Sequence, residues 1–305
     1  MTAYKIAPFI WMDGTAQEAA EFYAGLFPDG RVVATSHYGK VGQEFHGQPE
    51  GQVMVVDFEL MGFRMSAINA GPTFKVTPAI SFFVQVPERA EAERLWAGLA
   101  EGGFVLMPLD AYDWSPLYGW VADRYGVTWQ ISWDRDGAAP QPITTFLSFT
   151  QDNAGRAAEA LDFYASVFPD GEIELAVPYP AGSGVPDGAI MHGRVRLGDN
   201  RLMLLDAHGG HEFRFDEAIS LTVSCADQAE IDYYWDRLVE GGGRHSQCGW
   251  LSDRFGVAWQ VMPEIIPGLL SGPDQARTDR VLAAVMTMTK PILSEIEAAA
   301  ASSAH

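Results

Sequence analysis

The string GWVADRYGVTWQI, Gly119 to Ile131, returns later in the chain as GWLSDRFGVAWQV, Gly249 to Val261. Other matches keep the same order. FYAGLFPDG at Phe22 recurs as FYASVFPDG at Phe163, GQVM at Gly51 as GAIM at Gly188, AIS at Ala79 and again at Ala218, and EGG at Glu101 and again at Glu240. An ordered series of this kind marks a duplication, and its period is far too long for a solenoid. Each copy is therefore a domain, and 305 residues suit two of them. The Gly, Ala and Pro content of DRDGAAPQP, Asp134 to Pro142, suits a linker. The boundaries read as 1–137 for the first domain, 138–142 for the linker, 143–264 for the second domain and 265–305 for a helical tail.

Within each copy the apolar positions alternate between two periods. Ala16, Ala19, Ala20, Tyr23, Leu26 and Phe27 fall at helical spacing, as do Ala157, Ala160, Leu161, Tyr164, Val167 and Phe168. Thr15 and Glu18 stand at capping-box spacing, and Pro28-Asp29-Gly30 closes the helix with turn chemistry. A second helix is predicted around Leu95 and Trp96, matched by Tyr234 and Trp235, with Gly102 and Gly241 as stops. Strand-like runs fill the remainder, among them IAPFIWM, QVMVVDFEL, AISFFVQV and VTWQISW. Each copy reads as strand, helix, three strands, and then the same again. In the tail, Leu282, Val285, Met286 and Thr289 form one stripe of a helix that docks on its own domain or at a subunit interface, with Pro291 opening a second helical turn.

With 40 acidic against 20 basic residues and a formal charge of -20, the surface field repels phosphate backbones and anionic membranes. Nucleic acid and membrane are poor partners, and a small molecule is the better expectation. The start MTAYKIAPFIWMDG has no basic region followed by a long apolar core, so a cytoplasmic chain is expected. Cys225 and Cys248 are too few for a disulfide framework and lack zinc spacing, so both read as reduced, inert thiols.

The strings DGTAQEAAEFYAGLFPDG, EAISLTV, YYWDRLVEGGG, CGWLSDRFGVAWQVMP and RVLAAVMTMTKPIL together resemble the vicinal oxygen chelate superfamily, the glyoxalase and bleomycin-resistance fold. Within it they are similar to the PhnB-like branch labelled demethylubiquinone methyltransferase-like. The resemblance implies an α+β fold of two tandem glyoxalase-like domains, each of two βαβββ modules with a cupped mixed sheet. It also implies that two domains in one chain imitate a homodimer, so the assembly is a monomeric pseudo-dimer or a homodimer. Catalytic members hold a divalent metal in the cup through His and Glu. Carried onto this chain, those positions fall on Pro8, Ser66 or Ala67, Ala79 and Gln130 in the first copy, and on Thr144 or Thr145, Leu204 or a neighbour, Ala218 and Gln260 in the second. A neutral amide is a weak ligand and no carboxylate base. No metal and no cofactor are expected, and the catalytic residues are unknown. The methyltransferase label has no Gly-rich loop between a strand and a helix to support it.

The repeated string has a direct reading through strand alternation. Val127, Trp129, Ile131 and Trp133 share one face, and Thr128, Gln130 and Ser132 the other. Trp129 and Trp259 read as core, whereas Gln130 and Gln260 point into a cleft. DRYG and DRFG form the turn before the strand, with Gly126 and Gly256 at positive φ and with Asp123, Arg124, Asp253 and Arg254 tying it. The candidate ligand-binding residues are Gln130, Gln260, Thr128, His37, Asn69, Trp120, His208, His211 and Trp250. His208 and His211 in DAHGGHEF stand opposite Asn69 and Pro72 of the first copy.

Overall fold

The computed structural model describes residues 5–133 and 141–302, so most of the predicted linker and the last three residues of the tail lie outside the described residues. Four modules follow one another. The first holds β1 (Ile6–Met12), α1 (Ala16–Leu26), β2 (Arg31–His37), a short α2 (Gln43–His46), β3 (Val53–Leu60) and β4 (Phe63–Asn69). The second holds β5 (Ile80–Val86), α3 (Arg89–Ala100), β6 (Phe104–Tyr112), β7 (Ser115–Ala122) and β8 (Thr128–Trp133). The third repeats the first as β9 (Ile143–Phe149), α4 (Ala157–Val167), β10 (Glu172–Pro178), β11 (Ile190–Leu197) and β12 (Asn200–Asp206). The fourth repeats the second as β13 (Ile219–Cys225), α5 (Gln228–Leu238), β14 (Arg244–His245), β15 (Trp250–Ser252) and β16 (Ala258–Pro263). The tail forms α6 (Ile266–Leu270), α7 (Gln275–Met286) and α8 (Leu293–Ala301).

The strands make two eight-stranded mixed sheets, and each sheet takes one module from each copy. The order β14-β15-β16-β13-β1-β4-β3-β2 joins the fourth module to the first, and β10-β11-β12-β9-β5-β8-β7-β6 joins the third to the second. Both joints are antiparallel, with Pro8 opposite Leu221 in one and Phe82 opposite Thr145 in the other. The two copies are thus contiguous in sequence but interlocked in space. Sequence alternation specifies which face of a strand is buried and leaves its partner open.

A further contact between modules runs through the helices within one copy. The ring of Tyr23 on α1 lies 5.9 Å from Phe58 of β3 in the first sheet and 5.2 Å from Trp129 of β8 in the second. Its hydroxyl donates to Asp123 Oδ2 at 2.7 Å, and Trp129 Nε1 donates to the same oxygen at 2.8 Å. Asp123 Oδ1 accepts the backbone N–H groups of Tyr125 and Val127, which fold the turn that Gly126 permits at φ 85°. The second copy repeats the joint: Tyr164 and Trp259 donate to Asp253 Oδ2 at 2.8 and 3.0 Å, and Phe255 and Val257 to Oδ1. This is what the duplicated string is for. Its aspartate is a buried acceptor for four donors, and its tryptophan is core, as the alternation predicts. Arg124 and Arg254 play a different part from the predicted turn tie, lying over the rings of Phe22 and Phe163 at 4.6 and 4.3 Å.

Helix α1 departs from its predicted capping box. Thr15 makes no side-chain cap bond, and the Ala16 N–H instead donates to Asn69 Oδ1 at 2.9 Å. In the second copy Asp206 does the same for Ala157, at 3.1 Å. Asn69, a predicted ligand contact, is therefore a capping residue: its amide also donates to the Val53 carbonyl, and Tyr38 donates to its own carbonyl.

Candidate functional site

Each sheet has one face against the helical layer and one facing away from it, and the second faces are the candidate clefts. Cross-strand register shows which residues share them. In the second sheet, Trp120 stands opposite Gln130, Gln130 beside Phe83, and Phe83 opposite Thr144. In the first, Trp250 stands opposite Gln260, Gln260 beside Thr222, and Phe9 opposite Ser220. The two glutamines face the clefts as alternation predicts, but they do not border open solvent, being only 5 and 6% exposed. Gln130 Nε2 donates to Ser81 Oγ at 2.7 Å and its Oε1 accepts the Tyr118 hydroxyl at 2.8 Å. Gln260 Nε2 donates to Ser220 Oγ at 2.8 Å. Cys248 stands where the other cleft has Tyr118.

Beside each glutamine lies a buried polar atom without a hydrogen-bond partner among the described residues. These are the indole Nε1 of Trp120 and the hydroxyl of Thr222. Buried polar groups in folded proteins are almost always paired, with protein, water or ligand.

The remaining predicted site residues divide by their surroundings. Thr128 is 1% exposed and donates to the Ile80 carbonyl at 3.2 Å, which fixes it as a tie between strands. Trp250 meets Phe9 edge-on at 6.3 Å within the first cleft. His37 is exposed at the end of edge strand β2, and His208 is exposed beyond β12. His211 packs on Phe213 at 4.9 Å, and its carbonyl accepts from Gln151. None of the three histidines lies beside a glutamine pair. Register also equates Asn69 with Asp206 rather than with His208, since both residues end the strand that caps the first helix of a module. Sequence reasoning missed His192, which faces the second cleft from β11 with its ring 6.5 Å from that of Phe146. Period-two counting from Arg194 would have placed it there.

The positions that the resemblance assigns to metal ligands also divide by face. Pro8, Ala67, Thr145 and Leu204 share the helix-facing side with Ile10, Met65, Leu147 and Leu202, so Pro8 is not a cleft position; Ala7 and Phe9 are. Ser66, Thr144, Gln130 and Gln260 do face the clefts, and they offer hydroxyl and amide oxygens. Among the described residues no three His, Cys, Asp or Glu side chains converge. Neutral hydroxyls and amides hold Fe, Ni, Mn or Zn poorly, so these residues do not fit the divalent metal of catalytic glyoxalase-like proteins.

At matched positions on β3 and β11 the walls of the two clefts carry opposite charges. In the first sheet β3 presents Asp57 and Glu59, with Arg31 on β2 bonded to Glu59 at 2.8 Å. In the second, β11 presents Arg194 and Arg196 at the equivalent positions, with Glu172 on β10 bonded to Arg196 at 2.6 Å. Burial raises the Asp57 carboxyl above its ordinary range, opposed by the Ser66 hydroxyl that donates to it at 2.6 Å. Burial and the neighbouring Arg194 both lower the imidazole of His192, which keeps it neutral near pH 7.

The tail covers part of the first cleft. Cys248 and Met262, both on the cleft face by their register with Gln260, pack against Ile266, Val281, Val285, Met288 and Ile296. The docking stripe of α7 is Thr278, Val281 and Val285, one position away from the predicted Leu282 and Met286. Met286 reaches the opposite lip instead: a Cβ placed on Gly42 would lie 2.5 Å from its sulfur, and one on Gly39 would lie 1.8 Å from Asp279. Backbone bonds from Cys248 to Met288 and from Gly249 to Thr289 fasten the return of the tail. Both thiols are raised by burial, Cys225 to about 12. Among the described residues no helix is long and apolar enough to cross a membrane.

Paired βαβββ modules joined edge to edge, with helices on one face and a cleft on the other, define the glyoxalase-like class of the vicinal oxygen chelate superfamily. Glyoxalase I from Zea mays shares this fold with a TM-score of 0.55, at 9% identity over 85% of this chain and 91% of its own. The family model described as 3-demethylubiquinone-9 3-methyltransferase matches residues 4–132 and again 141–262. The chain belongs to that family and carries its unit twice. The PhnB protein from Bacillus cereus is 35% identical, with 43% of this chain and 99% of that one covered at a TM-score of 0.39. A protein from Pseudomonas aeruginosa is 28% identical over 44% of this chain and 100% of its own, with a TM-score of 0.38. No curated protein matches the chain.

Proposed function

We propose that this chain is a cytoplasmic small-molecule-binding protein whose two clefts, inherited from a metal-using design, now hold ligand through amide, hydroxyl and indole groups. The observation that carries this reading is the pair of buried, unpartnered polar atoms, Trp120 Nε1 and Thr222 Oγ1, each in cross-strand register with a cleft glutamine. A ligand or a water held with it would complete their hydrogen bonding. The test is a thermal-shift screen of a small-molecule library against the whole chain and its Trp120→Phe and Thr222→Val variants. Ligands that raise the melting temperature of the parent and lose affinity in one variant are the expected result. A library without such a ligand, together with a tightly held transition metal in the purified protein, would favour an enzyme instead.

The family description motivates a second reading, methyl transfer. It predicts saturable binding of S-adenosylmethionine, which equilibrium dialysis measures directly.

A further inference from the structure

We infer that the cleft of the second sheet selects an aromatic carboxylate, its acid group held by Arg194 and its ring laid along His192 and Phe83. The inference rests on the small-molecule reading above and adds the ligand's chemical class.

The charge pattern of the wall is the starting point. Glu174 on β10 faces three guanidinium groups: Arg194 at 2.8 Å, Arg201 at 2.9 Å and Arg196 at 3.9 Å. Arg196 has a nearer partner in Glu172, with Asp170 beyond it, which leaves Arg194 and Arg201 sharing one carboxylate. Arg201 takes both oxygens of Glu174 through its Nε. Arg194 meets Glu174 through its Nε at 2.8 Å, yet that buried nitrogen has no hydrogen-bond partner among the described residues, so the contact is an ion pair alone. Arg194 is also the most exposed of the three, at 41% of its side chain. A guanidinium whose hydrogen bonding is incomplete matches a carboxylate geometrically as well as electrostatically.

The surroundings favour a flat ring over a bare anion. Arg194 stands opposite Met203, and Met203 beside Phe146. Phe146 lies 6.5 Å from both His192 and Phe83, so an apolar aromatic run begins where the charge ends. The sister wall in the same chain shows that the charge is not a requirement of the fold. Asp57 occupies the position of Arg194 and Ser66 that of Met203, on strands of identical register.

The test titrates the whole chain with 2-naphthoate, its neutral amide 2-naphthamide and inorganic phosphate, followed by calorimetry. The expected result is that naphthoate binds about tenfold or more tighter than naphthamide, the ratio of one charge-assisted hydrogen bond. That preference should fall to about twofold or less in Arg194→Met, persist in part in Arg194→Lys, and survive in Arg196→Met. Melting curves of the variants confirm that each is folded, and the lysine variant keeps the wall charged should methionine disturb it. Equal affinity for naphthoate and naphthamide would overturn the anionic class while leaving a cleft that binds neutral ligands. Phosphate binding as tightly as naphthoate would overturn the aromatic part. If neither naphthalene binds, the inference is overturned, and the library screen decides the small-molecule reading on its own.

Discussion

The two clefts share one strand order and differ in the chemistry of their walls. At matching positions one wall carries Arg31, Asp57 and Glu59 where the other carries Glu172, Arg194 and Arg196, and the ion pair between edge strands is kept with its signs reversed. One cleft is bridged by the tail, and the other has Tyr118 bonded to its glutamine. The joints behind them are the same in every donor and acceptor, down to the aspartate that takes four hydrogen bonds. A buried acceptor with four donors cannot change without orphaning them. A half-exposed wall residue can change sign at little cost, because solvent screens its pair. The wall charges have diverged after duplication where the energetic penalty is small, whereas the four-donor joint has not.

The largest expected effect tests whether the joints are truly equivalent. Trp129→Ala and Trp259→Ala should each lose about 3–5 kcal/mol in denaturant unfolding, since both rings are fully buried. A difference of more than about 2 kcal/mol between them would break the symmetry of the two copies.

The next effect is a pH dependence. Burial raises Asp253 from 3.8 to about 6, with its four hydrogen bonds opposing the rise. The folded chain then holds this proton to a higher pH than the unfolded chain does. Stability contributed by the carboxyl therefore falls as pH rises from about 4 to about 6 and is constant above, a change on the order of 3 kcal/mol. Asp253→Asn cannot titrate, so the difference between the parent and variant stability curves should slope downward across that interval. Asp123 is raised for the same first cause, and Asp123→Asn should show the same sign. A flat difference curve for either would show that the hydrogen bonds balance burial at that joint, and an upward slope that they outweigh it.

The glutamines should separate the clefts more gently. Gln130→Leu leaves the part-buried Tyr118 hydroxyl and the buried Ser81 without their partner and should cost about 1–3 kcal/mol. Gln260→Leu orphans Ser220 alone and should cost about 1 kcal/mol. Equal losses, measured by urea titration, would mean that Tyr118 adds nothing to the second cleft.

The smallest effect concerns the reversed ion pairs. Exchanging Arg31 with Glu59, or Glu172 with Arg196, should change stability by less than about 1 kcal/mol, because each pair is partly exposed. A larger loss on one side only would show that its wall charges do more than pair with each other.

Local chemistry made much of this protein legible before any coordinates. The duplication is written in matching strings. The face of each central strand follows from period-two alternation, which placed Trp129 and Trp259 in the core and Gln130 and Gln260 toward a cleft. Other readings failed where a residue's role depends on a distant partner. Asn69 looked free for ligand because nothing nearby in sequence claims it; the claim comes from Ala16, at the start of the helix that follows the neighbouring strand. Thr15 looked like a cap because its spacing suits one, yet its side chain makes no cap bond, and Asn69 takes the Ala16 N–H group.

The tertiary structure alone decided which modules share a sheet. Alternation in β1 is satisfied equally by β5 of its own copy and by β13 of the other, because both offer a partner with the same apolar face. The choice is made only when all four modules close together, with Tyr23 and Tyr164 each holding one sheet to the other. That choice is a property of many contacts at once, and no stretch of sequence contains it. It also brought the reversed charges onto separate walls and laid the tail across one cleft, so the sequence determined the parts and the faces, and long-range packing determined the sites.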